Sequence, residues 1–217
     1  MPFFDARNFK APKSTLFNYG FSSKVKSVQK KIKILGIVGS LRKGSYNKAL
    51  MRAAIEIVPV NAEIEVFDIG DIPVFNQDLE NNQAQIVKDF KARIRSSDAI
   101  LIATPEYNYS IPGVLKNAID SASRPYGDNA FDGKPVAIMS ASTGKIGGAR
   151  AQYHLRQSFV FLNMFPINKP EVMLGEAEKN VDAQGKLTNE ETRAVIKQLL
   201  EALVTWTLKL KEQHSPT

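Results

Sequence analysis

Short unbroken apolar runs alternate along this chain with longer stretches in which apolar residues recur every three or four positions. The runs 32–38 (IKILGIV), 99–103 (AILIA) and 135–139 (PVAIM) have the length and aliphatic content of strands buried on both faces. Residues 63–67 alternate polar and apolar, as a strand nearer a sheet edge does, and 171–174 form a fifth short strand. Between them lie helical stripes. Tyr46, Ala49, Leu50, Ala53, Ala54 and Ile57 share one face. Further helices are expected over 83–95, near 112–123 with Pro112 in the first turn, and over 148–164. The last helix is announced by Thr188-Asn189-Glu190-Glu191, read as a capping box, and buries Ile196, Leu199, Leu200, Leu203, Trp206 and Leu210. Five strands alternating with helices predict an α/β fold, a parallel sheet covered on both faces by right-handed crossovers. Ligands of such sheets sit beyond the carboxyl ends of the strands, where strand order reverses.

Three stretches fall at those ends. After the first strand comes Gly39-Ser40-Leu41-Arg42-Lys43-Gly44-Ser45-Tyr46-Asn47, opening a helix. A GxGxxG fingerprint fails on the spacing of Gly36, Gly39 and Gly44, and a P-loop fails because Ser45 stands where its lysine belongs. What remains, Ser40, Ser45 and Asn47 with Arg42, suits one phosphate held by neutral donors and a single guanidinium, and equally suits a polar helix cap. After the third strand, Pro105, Glu106, Tyr107, Asn108, Tyr109 and Pro112 read as a rigid wall for a flat ligand, or as a loop packed by its own tyrosines. After the fourth, Ser140 to Gly148 is small and glycine-rich, either approaching a ligand closely or merely connecting. Together they outline a site for a flat phosphorylated cofactor.

Composition narrows the chemistry. The 217 residues include no cysteine and only His154 and His214, so disulfides, thiol redox chemistry and a histidine-built metal centre are not expected. A redox activity would need a bound cofactor. The net charge of +7 belongs to residues 1–33, which hold eight Lys or Arg against Asp5. The remainder balances, which argues against nucleic acid as a partner of the fold. Residues 1–31 are expected to be a basic extension, disordered or targeting, and 32–212 the folded domain. No apolar run approaches the ~18 residues that span a bilayer, so no stable membrane insertion is expected. The expected location is cytoplasmic, or an organelle if the extension is a targeting peptide.

The segments GSLRKGSYN, TPEYNYSIPGVLKNAIDSASR and GKPVAIMSASTGKIGGARAQYHLRQ resemble the NAD(P)H-dependent FMN reductase family, within it the bacterial-type quinone reductases also described as chromate reductases. The resemblance runs from Lys33 to the last helix. It implies a flavodoxin-like three-layer sandwich with strand order 2-1-3-4-5, FMN as cofactor, and NADPH or NADH as donor. Electrons would pass in ping-pong fashion to quinones or other small acceptors (FMN, chromate, azo or nitro compounds), with no side chain acting as acid or base. It implies phosphate binding by Ser40, Arg42, Ser45 and Asn47 and ring binding by Pro105, Glu106, Tyr107, Asn108 and Tyr109. Ser140, Thr143, Gly144 and Gly147 would close the site. It implies a homodimer or homotetramer in which Arg150 and Tyr153 pair with Glu171 across a two-fold axis. His154 on the same helix reads as structural. Ser121 departs from the pattern, since relatives carry tryptophan after NAID, which bears on acceptor preference or local packing. An electron-carrier flavodoxin is the rival reading; such carriers display an acidic docking surface, whereas this body is neutral.

Overall fold

The computed structural model describes residues 31–213, so the extension read from the sequence lies, apart from Lys31, outside the described residues, as does His214. In chain order the elements are β1 (Ile32–Val38), α1 (Tyr46–Glu56), β2 (Ala62–Phe67), a 3-10 turn (Gln77–Asn82), α2 (Gln85–Ser96), β3 (Ala99–Thr104) and α3 (Gly113–Ala122). Then follow β4 (Pro135–Ala141), α4 (Ala149–Phe161), β5 (Phe165–Pro166), β6 (Val172–Leu174), α5 (Ala177–Asn180) and α6 (Glu190–Gln213). All pairings between these strands are parallel, in the order β2-β1-β3-β4-β5 with β6 also on β4. This is the flavodoxin-like order expected.

The fifth place in the sheet is occupied differently from the expectation. It holds two scraps of strand, β5 beside Pro135 and Val136 and β6 beside Met139 to Ala141. Pro166 and Pro170 lie in this stretch, and proline has no N–H to give to a ladder.

Side-chain alternation divides the core in two. Ile34, Leu101, Ala103, Ala137 and Met139 face α1 and α6. Leu35, Ile37, Ile100, Ile102, Val136 and Ile138 face α2, α3 and α4. Each large aliphatic side chain so buried contributes about 1.5–3 kcal/mol. Two helix starts differ from the sequence reading. Pro112 is the cap residue of α3 and not part of its first turn. At α6 the cap is Asn189, whose Oδ1 accepts from Thr192 N at 2.7 Å, while the Thr188 hydroxyl donates to Asn180 O at 3.1 Å. Along α6, Val204 and Thr207 are buried, whereas Trp206 is only partly so.

Candidate cofactor site

Parallel registry sets the carboxyl ends of β1, β3 and β4 side by side: Val38 pairs with Ala103, and Thr104 with Ser140. The three loops singled out in the sequence therefore share one rim.

In the first loop two expected phosphate ligands turn out to hold the loop itself. Ser45 caps α1, its hydroxyl accepting from Asn47 N at 3.2 Å. Asn47 is buried and closes a two-point bridge to β4: Nδ2 donates to Ala141 O at 3.0 Å and Oδ1 accepts from Ala141 N at 2.9 Å. The amide predicted to reach a ligand thus joins the first loop to the end of β4. Different donors remain. The main-chain N–H groups of Leu41, Arg42, Lys43 and Gly44 and the Ser40 hydroxyl have no partner among the described residues. They precede α1, whose positive end adds to the pull on an anion. Arg42 is exposed, with its guanidinium 4.9 Å from the Tyr46 ring centre.

The second loop is a tight hairpin. Tyr107 and Ser110 exchange backbone hydrogen bonds of 2.9 Å around Asn108 (φ 51°) and Tyr109 (φ 67°), the left-handed pair of a type I′ turn. Asparagine tolerates that conformation; a tyrosine there costs roughly 1–2 kcal/mol. The neighbours that hold it come from α4. Arg150 lays its guanidinium 4.0 Å from the Tyr109 ring centre. The Glu106 carboxylate accepts from Arg150 Nη1 at 2.8 Å and from Arg150 N at 3.0 Å. Ser110 Oγ and His154 Nδ1 lie 3.0 Å apart, the structural part expected of that histidine. Glu106, expected against a ring, places its carboxylate on the start of α4, a helix with no side-chain cap of its own and a positive end to satisfy. Pro105 is buried, while the rings of Tyr107 and Tyr109 stand out from the rim.

In the third loop the glycines serve packing more than approach. Gly147 has φ +64°, and a Cβ there would lie 2.7 Å from the main chain of Met173. The loop therefore folds down onto β6. Ser140 is buried, its hydroxyl donating to Gly147 O at 2.6 Å and accepting from Gln152 Nε2 at 2.8 Å. Thr143 and Gly144 are exposed, as are Lys145 and Ile146 after them. Gln152, not singled out in the sequence, also donates to Val172 O at 2.8 Å and is fully buried. Its signal was available: it shares a helical stripe with Leu155 and Phe159, and a polar residue on a buried stripe demands partners.

Of the residues expected at a subunit interface, Arg150 is paired within its own chain to Glu106, and Tyr153 and Glu171 are exposed. Among the described residues, no group of three His, Cys, Asp or Glu side chains could hold a metal, and no helix is long and apolar enough to cross a membrane.

Residues 32–179, from β1 through most of α5, match the family described as NADPH-dependent FMN reductase. The chain belongs to this family. A curated member from Pseudomonas aeruginosa, an NAD(P)H-dependent FMN reductase, is 53% identical over 181 residues, covering 83% of this chain and 97% of its own. An NAD(P)H:quinone oxidoreductase of Solanum tuberosum is 47% identical, covering 85% and 97%. Among solved structures, the flavoenzyme NAD(P)H:(acceptor) oxidoreductase FerB of Paracoccus denitrificans superposes with a TM-score of 0.76 at 38% identity, covering 82% of this chain and 98% of its own.

Proposed function

We propose that this chain is an FMN-dependent reductase that passes electrons from NADPH or NADH to quinones. The observation that carries the reading is the rim itself: a row of unpartnered amides before α1 stands next to a rigid tyrosine hairpin, in a member of the FMN reductase family. The donor set fits a phosphorylated flavin. The amides of residues 41–44, the Ser40 hydroxyl and Arg42 would take the phosphate, and the main chain of 105–109 with Tyr107 and Tyr109 would take the ring. FMN, when bound, supplies the two-electron chemistry that this cysteine-free chain lacks. The protein orients and shields. Glu106, Arg150 and His154 hold the hairpin still, Asn47 locks the first loop to β4, and Ser140 with Gln152 sets the third loop. Donor and acceptor would use one open face in turn. Two or four copies would associate through Arg150, Tyr153 and Glu171; a monomer by sedimentation would remove that interface.

Stopped-flow mixing of the FMN-loaded protein with NADPH or NADH should bleach the flavin absorbance, and a quinone should restore it. If neither nucleotide bleaches it and only a protein reductase does, the chain is an electron carrier.

A further inference from the structure

Next to the first loop, on the side away from the tyrosine hairpin, lies a hollow that the reading above does not use. It holds about 230 Å³ between α1 and the edge strand β2. Its walls are apolar, Met51 and Ile55 of α1 with Val66 of β2. Ile55 and Val66 remain 41% and 43% exposed. Ser40 belongs to its lining, so the hollow and the amide cradle before α1 share a residue. The turn after β2 closes on that cradle as well: a Cβ on Gly70 would lie 3.3 Å from Leu41 Cδ2.

Three charged groups surround the hollow. Lys48 and Arg52 stand one turn apart on α1, and each is oriented by a main-chain carbonyl. Lys48 Nζ donates to Leu41 O at 3.4 Å, and Arg52 Nη2 to Gly185 O at 2.6 Å. Their other N–H groups have no partner among the described residues. Asp68, the first residue after β2, accepts from Gly70 N through Oδ1 at 2.9 Å, and its Oδ2 has no partner among the described residues.

Each part of this lining answers a different part of one ligand. In an α/β sheet an acid at the end of the second strand suits a ribose hydroxyl, and an arginine beside it suits a phosphate on that ribose. A slot between aliphatic side chains suits a base. Two cations against one carboxylate leave the hollow positive, as a phosphate requires. The position fits too. β2 lies two strand spacings from β3 and three from β4, about 10–14 Å, a span that a dinucleotide stretched between its two bases covers. We infer that the hollow takes the adenosine end of the electron donor. A 2′-phosphate would lie on Lys48 and Arg52 and the neighbouring 3′-hydroxyl on Asp68, so that NADPH is preferred to NADH. The inference rests on the reductase reading and chooses between the two donors which that reading leaves open.

The test uses the FMN-loaded full chain and 2′,5′-ADP, which carries the phosphorylated ribose and no nicotinamide. By calorimetry it should bind roughly tenfold or more tightly than 5′-AMP, the worth of a charge-assisted hydrogen bond. Arg52→Ala and Lys48→Met should each remove about that factor. Ile55→Trp, which fills the slot without changing charge, should weaken binding too. In the two charge variants kcat/KM for NADPH should fall by the same factor, while kcat/KM for NADH and the FMN content stay at the parent's values. Equal affinity for 2′,5′-ADP and 5′-AMP, or charge variants that slow NADH as much as NADPH, overturns the inference. So does FAD binding more tightly than FMN to the flavin-free chain with the advantage lost in Arg52→Ala, because the adenosine then belongs to the flavin. A shift in the sedimentation of ligand-free Ile55→Trp, with nucleotide binding intact, makes the hollow a contact between copies and overturns it as well. Arg52-dependent binding of 2′,5′-ADP to a chain whose flavin neither NADPH nor NADH bleaches would sink the reductase reading and leave the adenosine site standing.

Discussion

Asn47 and Arg42 sit five residues apart in one loop and do opposite work. Both were read as phosphate ligands, but only Arg42 points to solvent; Asn47 is buried with both ends of its amide on Ala141. Removing the Asn47 amide strands a buried N–H and a buried C=O, which costs roughly 2–4 kcal/mol. Asn47→Ala should therefore lower the melting temperature by several degrees even without flavin, whereas Arg42→Ala should melt like the parent and lose affinity for FMN. Differential scanning calorimetry of the flavin-free proteins, followed by FMN titration, would tell; an Asn47→Ala variant as stable as the parent would refute the bridge. The sequence made the loop legible as a phosphate cradle because serine, asparagine and arginine cluster ahead of a helix. It could not say which hydroxyls and amides face inward. That depends on a contact between residues 47 and 141, far apart in the chain. Glu106 was opaque for the same reason: its partner is the start of α4, 44 residues on.

Among the elements, the strands and long helices were readable because period-2 and period-3.6 patterns are local properties of the chain. The split at β5 and β6 was not, since a two-residue strand carries no period. The third loop shows how an element's composition misleads. Its glycines suggested room for a ligand, but Gly147 is required by its positive φ and by the Met173 main chain 2.7 Å from where a Cβ would be. Gly144 is exposed, and a Cβ there would meet only Ser142 Oγ at 3.6 Å. Gly147→Ala should therefore lower thermal stability by roughly 1–2 kcal/mol or more and speed the loss of FMN on dilution, while Gly144→Ala should leave stability unchanged. Paired melting curves and flavin-release rates would check this. Equal behaviour of the two variants would mean that the loop does not rest on β6 as described.

For the molecule as a whole, the balanced charge of residues 34–217 was visible in composition, but its wiring was not. Asp128 on the loop before β4 takes a 2.6 Å ion pair from the nearly buried Lys91 of α2 and another from Arg95. The hydrogen bond from Lys91, aided by both positive charges and opposed by burial, holds the Asp128 carboxyl below its ordinary range. At Asp98 burial pushes the pKa up, but the bonds from Lys211 and from Lys33 N outweigh it, again giving a lowered value. Folded values below unfolded ones give stability that is complete above the unfolded range, about 4, and is lost as pH falls through the folded values. Melting temperatures measured from pH 7 down to pH 3 should fall, and Asp128→Asn should start lower at pH 7 and fall less. Parallel curves would clear Asp128 of any part in acid sensitivity. The division of the sheet's fifth place into β5 and β6 has one more consequence, which concerns crowding. On that side the sheet ends in strands too short to template a neighbour, and on the other β2 presents two charged side chains to solvent, Glu63 and the Glu65 that pairs with Arg93 of α2, which discourage a second edge laid against them. Among the described residues, neither margin of the sheet offers another chain a long bare edge on which to continue the ladder.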